Sequence, residues 1–217
     1  MKAIIMGGTS GIGKSIADQL KNICDELIVA GSKEVDTTSI VSVKEFIKKN
    51  KKTNILVLNT GGPKDLKFNE INDTDWTENF NRLFLSFSKI IKEIEVQNDG
   101  YIFLISSYII KQPGEELIIS SSLRAGFTNL FKSLSIIYAK SKISFINIAP
   151  GPIKTKRLER LLKAENISIE NFAKNLPTSQ VPEPDEIGLF VKFVIENNIK
   201  SFNGVTIPFD SGLLKSI

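Results

Sequence analysis

The stretch Ala3-Ile4-Ile5-Met6-Gly7-Gly8-Thr9-Ser10-Gly11-Ile12-Gly13 decides how the rest of the chain is read. Its first four residues form an unbroken apolar run, as expected of a parallel strand buried on both faces. The residues that follow place Ile12, Ile16, Ala17, Leu20 and Ile23 on one face of a helix. Glycines in the intervening turn allow positive φ and close approach of the backbone to a ligand, while the unpaired amides of the new helix attract phosphate. The turn therefore points to a nucleotide. Its spacing is GxxxGxG, and a tight strand-to-helix turn without a ligand uses the same residues, so support has to come from the rest of the chain.

The same unit recurs outward from the turn. Residues 27–30 read as a second strand, ending at Gly31-Ser32-Lys33, and a helix bearing Ile40, Val43, Phe46 and Ile47 follows, with Thr38 or Ser39 as its cap. A third apolar strand, 55–58, runs into Asn59-Thr60-Gly61-Gly62-Pro63, a polar loop of the kind that open α/β sheets place beside their ligands. A long helix with Trp76, Phe80, Leu83, Phe84, Phe87, Ile90, Ile91 and Ile94 on its apolar face is expected to stop at Asn98-Asp99-Gly100. The strand 101–105 then delivers Ser106, Ser107 and Tyr108 to the same edge, and 143–148 ends at Ala149-Pro150-Gly151-Pro152. Beyond it lie a basic helical stretch (Lys154, Lys156, Arg157, Arg160, Lys163), a polar segment at 165–182 expected to be a mobile lid, a helix starting at Pro184 and a last strand, 205–209. This alternation predicts one Rossmann-type domain over 1–217, a doubly wound, mainly parallel sheet in a three-layer α/β/α arrangement.

Composition narrows the chemistry. The 217 residues contain no histidine and one cysteine, Cys24, which excludes Ser/His and Cys/His nucleophile pairs, an internal disulfide and the usual zinc sites, so no metal is expected. Acid–base work falls to Tyr, Ser, Lys or carboxylates, helped by a cofactor. The net charge of +4 is carried by lysines scattered among 24 acidic residues, with only four arginines and no interleaved aromatics, which argues against nucleic acid. No apolar run approaches bilayer length and the first one ends at Gly7, so neither a membrane span nor a signal peptide is expected and the expected compartment is the cytoplasm.

Taken together, the motifs resemble those of the short-chain dehydrogenase/reductase family along nearly the whole chain. GGTSGIG is similar to that family's TGxxxGIG, the NTGG at Asn59 to its NNAG, Ser106-Ser107 to the end of its catalytic-serine strand, PGPIKT at Pro150 to its PGxIxT, and FNGVTIPFDSG to its C-terminal xxGxxxxVDGG. The resemblance implies an NAD(P)-dependent oxidoreductase acting on a carbonyl or alcohol, in the manner of a 3-oxoacyl reductase. It implies a cofactor site made by Gly7, Thr9, Ser10, Gly11, Ile12, Gly13, Ser32, Lys33, Asp36, Asn59, Gly61, Arg124, Pro150, Gly151, Ile153 and Thr155. NADP(H) is favoured over NAD(H), because Ser32 and Lys33 stand at the second strand's tip where an acid would hold a ribose hydroxyl. A homo-oligomer, dimer or tetramer, is expected through the long apolar helices.

Two departures from the family pattern matter. The family has Tyr thirteen residues after its Ser and Lys four further on, whereas counting from Ser107 reaches Ser120 and Arg124. An aliphatic hydroxyl is a far weaker acid than a phenol, and a guanidinium does not shuttle protons. The candidate catalytic set is therefore Ser107, Ser120, Arg124 and Tyr108, with Tyr108 or Lys111 as proton donor. The alternative is a catalytically impaired NADP(H)-binding sensor or assembly subunit, and the basic stretch at 154–163 allows for an anionic substrate or partner. The family's helix Asn falls on Leu83, with Asn81 two positions early. Asp36 follows Gly31 by only five positions, where the family inserts a helix and a strand. The sheet is thus expected to be trimmed to the order 2-1-3-4-5-6, with Asp36 in the adenine-bracketing place.

Overall fold

Along each central strand, alternate apolar residues go to opposite layers. The computed structural model describes residues 1–215. Six strands, β1 (Lys2–Met6), β2 (Glu26–Ala30), β3 (Lys52–Leu58), β4 (Glu95–Ile105), β5 (Ser144–Pro150) and β6 (Val205–Phe209), pair in parallel in the order β2-β1-β3-β4-β5-β6. Ile5, Val57 and Phe103 belong to one hydrophobic cluster, and their neighbours Ile4, Leu56 and Ile102 to the other. Helices α1 (Gly11–Leu20) and α8 (Pro184–Glu196) cover the first face with Ile16, Leu20, Ile187 and Val191. On the second face, α2 (Ile40–Lys49), α4 (Ser86–Glu93) and α5 (Ile118–Ile137) contribute Val43, Phe87, Phe127 and Phe131. With helices on both sides the central strands have no solvent face along 3–6, 55–58 and 101–105, which is why those runs are apolar.

The result is the expected trimmed, doubly wound sheet. The chain passes from β2 to α2 through a loop at 31–39 with no further helix or strand, and strand order reverses between β1 and β3. At such a switch point the loops leaving the two strands diverge and open a crevice.

Two expectations need correction. The long helix comprises α3 (Asp73–Phe80), a π-helical turn (Asn81–Leu85) and α4, and it ends at Glu93 rather than at Asn98-Asp99-Gly100. Ile94 is already extended and the Glu95 amide bonds to the Lys51 carbonyl at 2.9 Å, starting β4 six residues before Tyr101. The Asn-Asp-Gly triplet instead forms an irregularity inside β4. Asp99 has φ +61, the β3–β4 register shifts between Thr53 and Ile55, and a Cβ on Gly100 would lie 2.5 Å from the Asn54 carbonyl oxygen. Turn residues serve a β-bulge as well as they stop a helix.

The segment 165–182 is also more ordered than its polarity implied. It contains α7 (Ile169–Ala173), whose first turn is capped by Ser168 Oγ accepting the Asn171 amide at 3.2 Å, and it buries Leu176. With α6 (Lys156–Ala164) it lies over the carboxyl edge of the sheet. Among the described residues no helix is long and apolar enough to cross a membrane.

Candidate active site

The glycine turn is built by exclusion of side chains. Gly7 has φ +60, and a Cβ there would sit 2.6 Å from the Asn59 carbonyl oxygen; a Cβ on Gly13 would lie 2.1 Å from the Gly7 carbonyl oxygen. Asn59 locks the arrangement by donating Nδ2–H to that Gly7 oxygen at 3.0 Å, which ties the β1 turn to the β3 loop across the switch point. Gly11, at φ +52, faces Thr155, whose Cγ2 would be 3.2 Å from an added Cβ. Ser10 stands at the N-cap of α1 but makes no side-chain cap, so the first-turn amides keep their capacity for an anion.

A cavity of about 880 Å³ opens on this turn. Of the residues expected to hold a cofactor, Gly7, Thr9, Ser10, Gly11, Ile12, Ser32, Asp36, Asn59, Gly61 and Thr155 line it. Gly13 packs behind the turn, and Lys33, which is exposed, is not part of the lining. Asp36 accepts the Thr38 amide at 2.9 Å and the Thr38 hydroxyl at 2.8 Å, which shapes the loop after β2. That loop is held from the π-helical turn: Asn81 Nδ2 donates to the Thr38 carbonyl at 3.2 Å, and Ser86, one residue beyond, donates to the Thr37 carbonyl at 2.6 Å. Asn81 thus supports the nucleotide side of the crevice, while Leu83, in the family's Asn position, is buried in the core.

Several lining residues were not singled out as cofactor ligands in the sequence. Arg82 enters from the π-helical turn, and Lys156, Arg157 and Arg160 from α6. The three basic positions share one side of α6 by their spacing, a signal present in the sequence but indistinguishable there from a solvated face. Lys154, by contrast, pairs with Glu183 at 2.6 Å. A phosphate-rich dinucleotide suits a space with a side-chain-free turn, a free helix N-terminus and four cations against the two acids Asp36 and Glu159.

A second cavity, about 400 Å³, shares Ile12, Asn59, Thr60, Gly61, Thr155 and Arg157 with the first and contains the other candidates. Ser107, Tyr108, Ser120, Arg124, Pro150, Gly151 and Ile153 all line it. Ser106 and Ser107 have separate tasks. Ser106 donates to the Ile148 carbonyl at 3.2 Å and so belongs to the sheet, whereas Ser107 caps the short turn at 108–110 and opens on the cavity. Gly151 fits because its Cβ would approach the Asp210 backbone to 2.8 Å. The C-terminal motif thereby holds the Pro-Gly-Pro turn, with Asp210 accepting the Gly212 and Leu214 amides. Lys111 is exposed and does not line the space.

Arg124 Nε donates to Ser120 Oγ at 3.2 Å, and its Nη1 donates to the carbonyls of Ile105 at 3.2 Å and Ser106 at 3.4 Å. Burial, and secondarily the like charge of Arg157, lower the Arg124 pKa to about 10, so it is still cationic at neutral pH. Burial raises the Tyr108 phenol above its ordinary value, which keeps the proton on that oxygen.

A strand, glycine turn and helix at the switch point of a parallel sheet, with two joined cavities above them, define a Rossmann-type dinucleotide-binding protein. Within that class the chain belongs to the short-chain dehydrogenase/reductase family: residues 11–214 match the family model described as enoyl-(acyl carrier protein) reductase. The chain is 26% identical over 236 residues to the 3-oxoacyl-[acyl-carrier-protein] reductase FabG of Rickettsia prowazekii, covering 98% of this chain and 96% of the relative. It is also 26% identical over 257 residues to the NADPH-dependent reductase BacG of Bacillus subtilis, covering 99% and 98% of the two chains. In three dimensions it resembles the crystal structure of YwfH, an NADPH-dependent reductase involved in bacilysin biosynthesis, with a TM-score of 0.88 and 24% identity over 100% of this chain and 99% of that one. The protein is an NAD(P)-dependent oxidoreductase of this family.

Proposed function

We propose that the protein reduces the carbonyl group of a small molecule seated in the second cavity, with NADP(H) as the preferred cofactor. The observation that carries this reading is that the two cavities share six lining residues, which puts the phosphate-binding turn and the Ser107–Tyr108 cluster along one crevice. The turn at Gly7–Gly13 with Asn59 and Thr155 would hold a nicotinamide dinucleotide, which would supply the hydride for the carbonyl carbon. Ser107 and Tyr108 act on the carbonyl oxygen: the hydroxyl of Ser107 orients it and the Tyr108 phenol, protonated through the neutral range, gives it a proton. Ser120 accepts the Arg124 Nε–H and keeps its own O–H as a donor toward the cavity. Thr155, Asn59 and the turn hold the cofactor side. The NADP(H) preference is supported by the four cations of the first cavity, against which stand Asp36 in the lining and Glu34, whose carboxylate accepts the Gly31 amide at 2.8 Å at the β2 tip.

The test is Tyr108→Phe. Loss of a general acid lowers kcat by roughly 10²-fold or more, and fluorescence titration should still show NADPH binding. Full turnover in that variant removes Tyr108 from the role. A protein that binds NADPH tightly and reduces nothing in a broad carbonyl panel would instead be a sensor or assembly subunit, the outcome that Ser120 and Arg124 in the family's Tyr and Lys places allow for.

A further inference from the structure

Arg124 is a buried cation without a carboxylate. Its residue exposure is 9%, and none of the ion pairs among the described residues includes it. Two of its nitrogens are occupied, Nε on Ser120 and Nη1 on main-chain carbonyls, and those acceptors are uncharged. Nη2 has no hydrogen-bond partner among the described residues, yet it is not one of the fully enclosed unpaired atoms, so it faces the cavity that Arg124 lines. A buried guanidinium with neutral partners and a donor edge turned to an open space is set to receive an anion.

The surroundings strengthen that demand. The charged residues lining the second cavity are Arg124, Arg157 and Asp65, two cations against one acid. Asp65 is engaged with Arg157, its Oδ1 lying 3.4 Å from Nη2, and Arg157 leans over Gly62, where a Cβ would come within 2.5 Å of Nη1. Arg157 lines both cavities, so the phosphates of a dinucleotide can share it; Arg124 lines the second cavity alone. Ribose hydroxyls, the partners that the family's lysine implies for this position, are neutral and leave the charge uncompensated. Leu117, Leu158, Leu161 and Phe172 give this cavity of about 400 Å³ an apolar wall, suited to a small substrate.

We propose that the substrate carries a carboxylate that seats on the Nη2 edge of Arg124, making it a small oxo acid or the corresponding hydroxy acid rather than a neutral ketone or an acyl thioester. This deepens the reductase reading of the same cavity and rests on it for the words oxo and hydroxy, but the anion site itself does not depend on turnover. Arg124 is thereby a binding residue, and the Ser120–Arg124 pair replaces the family's proton donor with a charge-recognition element.

The experiment compares two unreactive probes of equal shape, butanoate and butanamide, titrated calorimetrically into the full-length protein with NADPH present. A charge-assisted contact from Nη2 predicts that butanoate binds roughly tenfold or more tighter than butanamide. In Arg124→Gln the preference should disappear, whereas a purely structural role for Arg124 would weaken both probes alike and leave their ratio unchanged. Equal binding of the two probes by the wild-type protein overturns the proposal, as does a preference that survives in Arg124→Gln. If that variant does not fold, Arg157→Gln decides: a butanoate preference kept there supports Arg124 as its source, and one lost there belongs to Arg157 and overturns the proposal. A butanoate preference without reduction of any oxo acid would keep the anion site and remove the reductase reading; turnover of neutral ketones with no butanoate preference would do the reverse.

Discussion

At the scale of single residues, the site is written in omissions as much as in functional groups. Gly7 and Gly13 are needed because the Asn59 and Gly7 carbonyls occupy the places where their side chains would go. Such omissions were legible once the motifs at Asn59 and Pro150 stood beside the glycine turn, since the turn alone also serves a ligand-free strand-to-helix connection. The Ser120 and Arg124 substitutions were legible as a departure, but their meaning was not, because burial and the direction of a guanidinium edge depend on elements far away in the chain. The pH behaviour follows from Tyr108. Its pKa is raised by burial, and the working form of a donor is the protonated one, so the donor is present at every pH below that raised value and is lost only above it. Reductive kcat measured between pH 6 and pH 9 should therefore lack a falling limb from this phenol, and its alkaline decline should begin above about pH 10, the unperturbed phenol value. A decline centred near neutrality would assign the proton to another group.

At the scale of elements, the roof over the site is held at its start by one cap. Thr155 Oγ1 accepts the Leu158 amide at 3.5 Å, and α6 then carries Lys156, Arg157 and Arg160 along the first cavity and Leu158 and Leu161 along the second. Thr155→Ala should destabilise the start of α6 by about 1 kcal/mol, seen as faster hydrogen exchange of the 156–161 amides with the exchange of β3 and β4 unchanged. Equal protection in the variant would show that packing alone holds the helix. The long helix Asp73–Glu93 shows what local sequence reading misses at this scale. Its apolar periodicity predicted the helix, but the π-helical turn that aims Arg82 into the crevice and Asn81 at the loop after β2 has no pattern of its own. The bulge at Asp99 was misread for a related reason: Asn, Asp and Gly report a need for special φ and ψ, and only the pairing with β3 shows whether the need is a turn or an irregular strand.

At the scale of the whole molecule, a cofactor in the first cavity would touch the turn after β1, the loops after β2 and β3 and the start of α6 at once, so binding should be visible as stability. Ligand binding to the native state alone adds RT ln(1 + [L]/Kd), about 2.7 kcal/mol at a hundredfold excess over Kd. NADPH should accordingly raise Tm more than NADH at equal concentration, and an equal or larger rise with NADH would reverse the proposed preference. Much of the architecture was determined by the sequence alone: strands with no polar face require helices on both sides, the alternation of strand and helix requires parallel pairing, and the five-position gap between Gly31 and Asp36 leaves no room for another strand. The motifs likewise determined that a dinucleotide belongs on the turn. Only the tertiary structure decided that Ser107, Tyr108, Ser120 and Arg124 line one space, that Lys33 stays outside the lining, and that Lys156, Arg157 and Arg160 of the basic stretch face the crevice. The physical reason is range. Backbone preference and hydrophobic period act over a few residues, whereas the solvation and charge balance of a buried guanidinium are set by whatever β4, α5, α6 and the loop after β3 bring together around it.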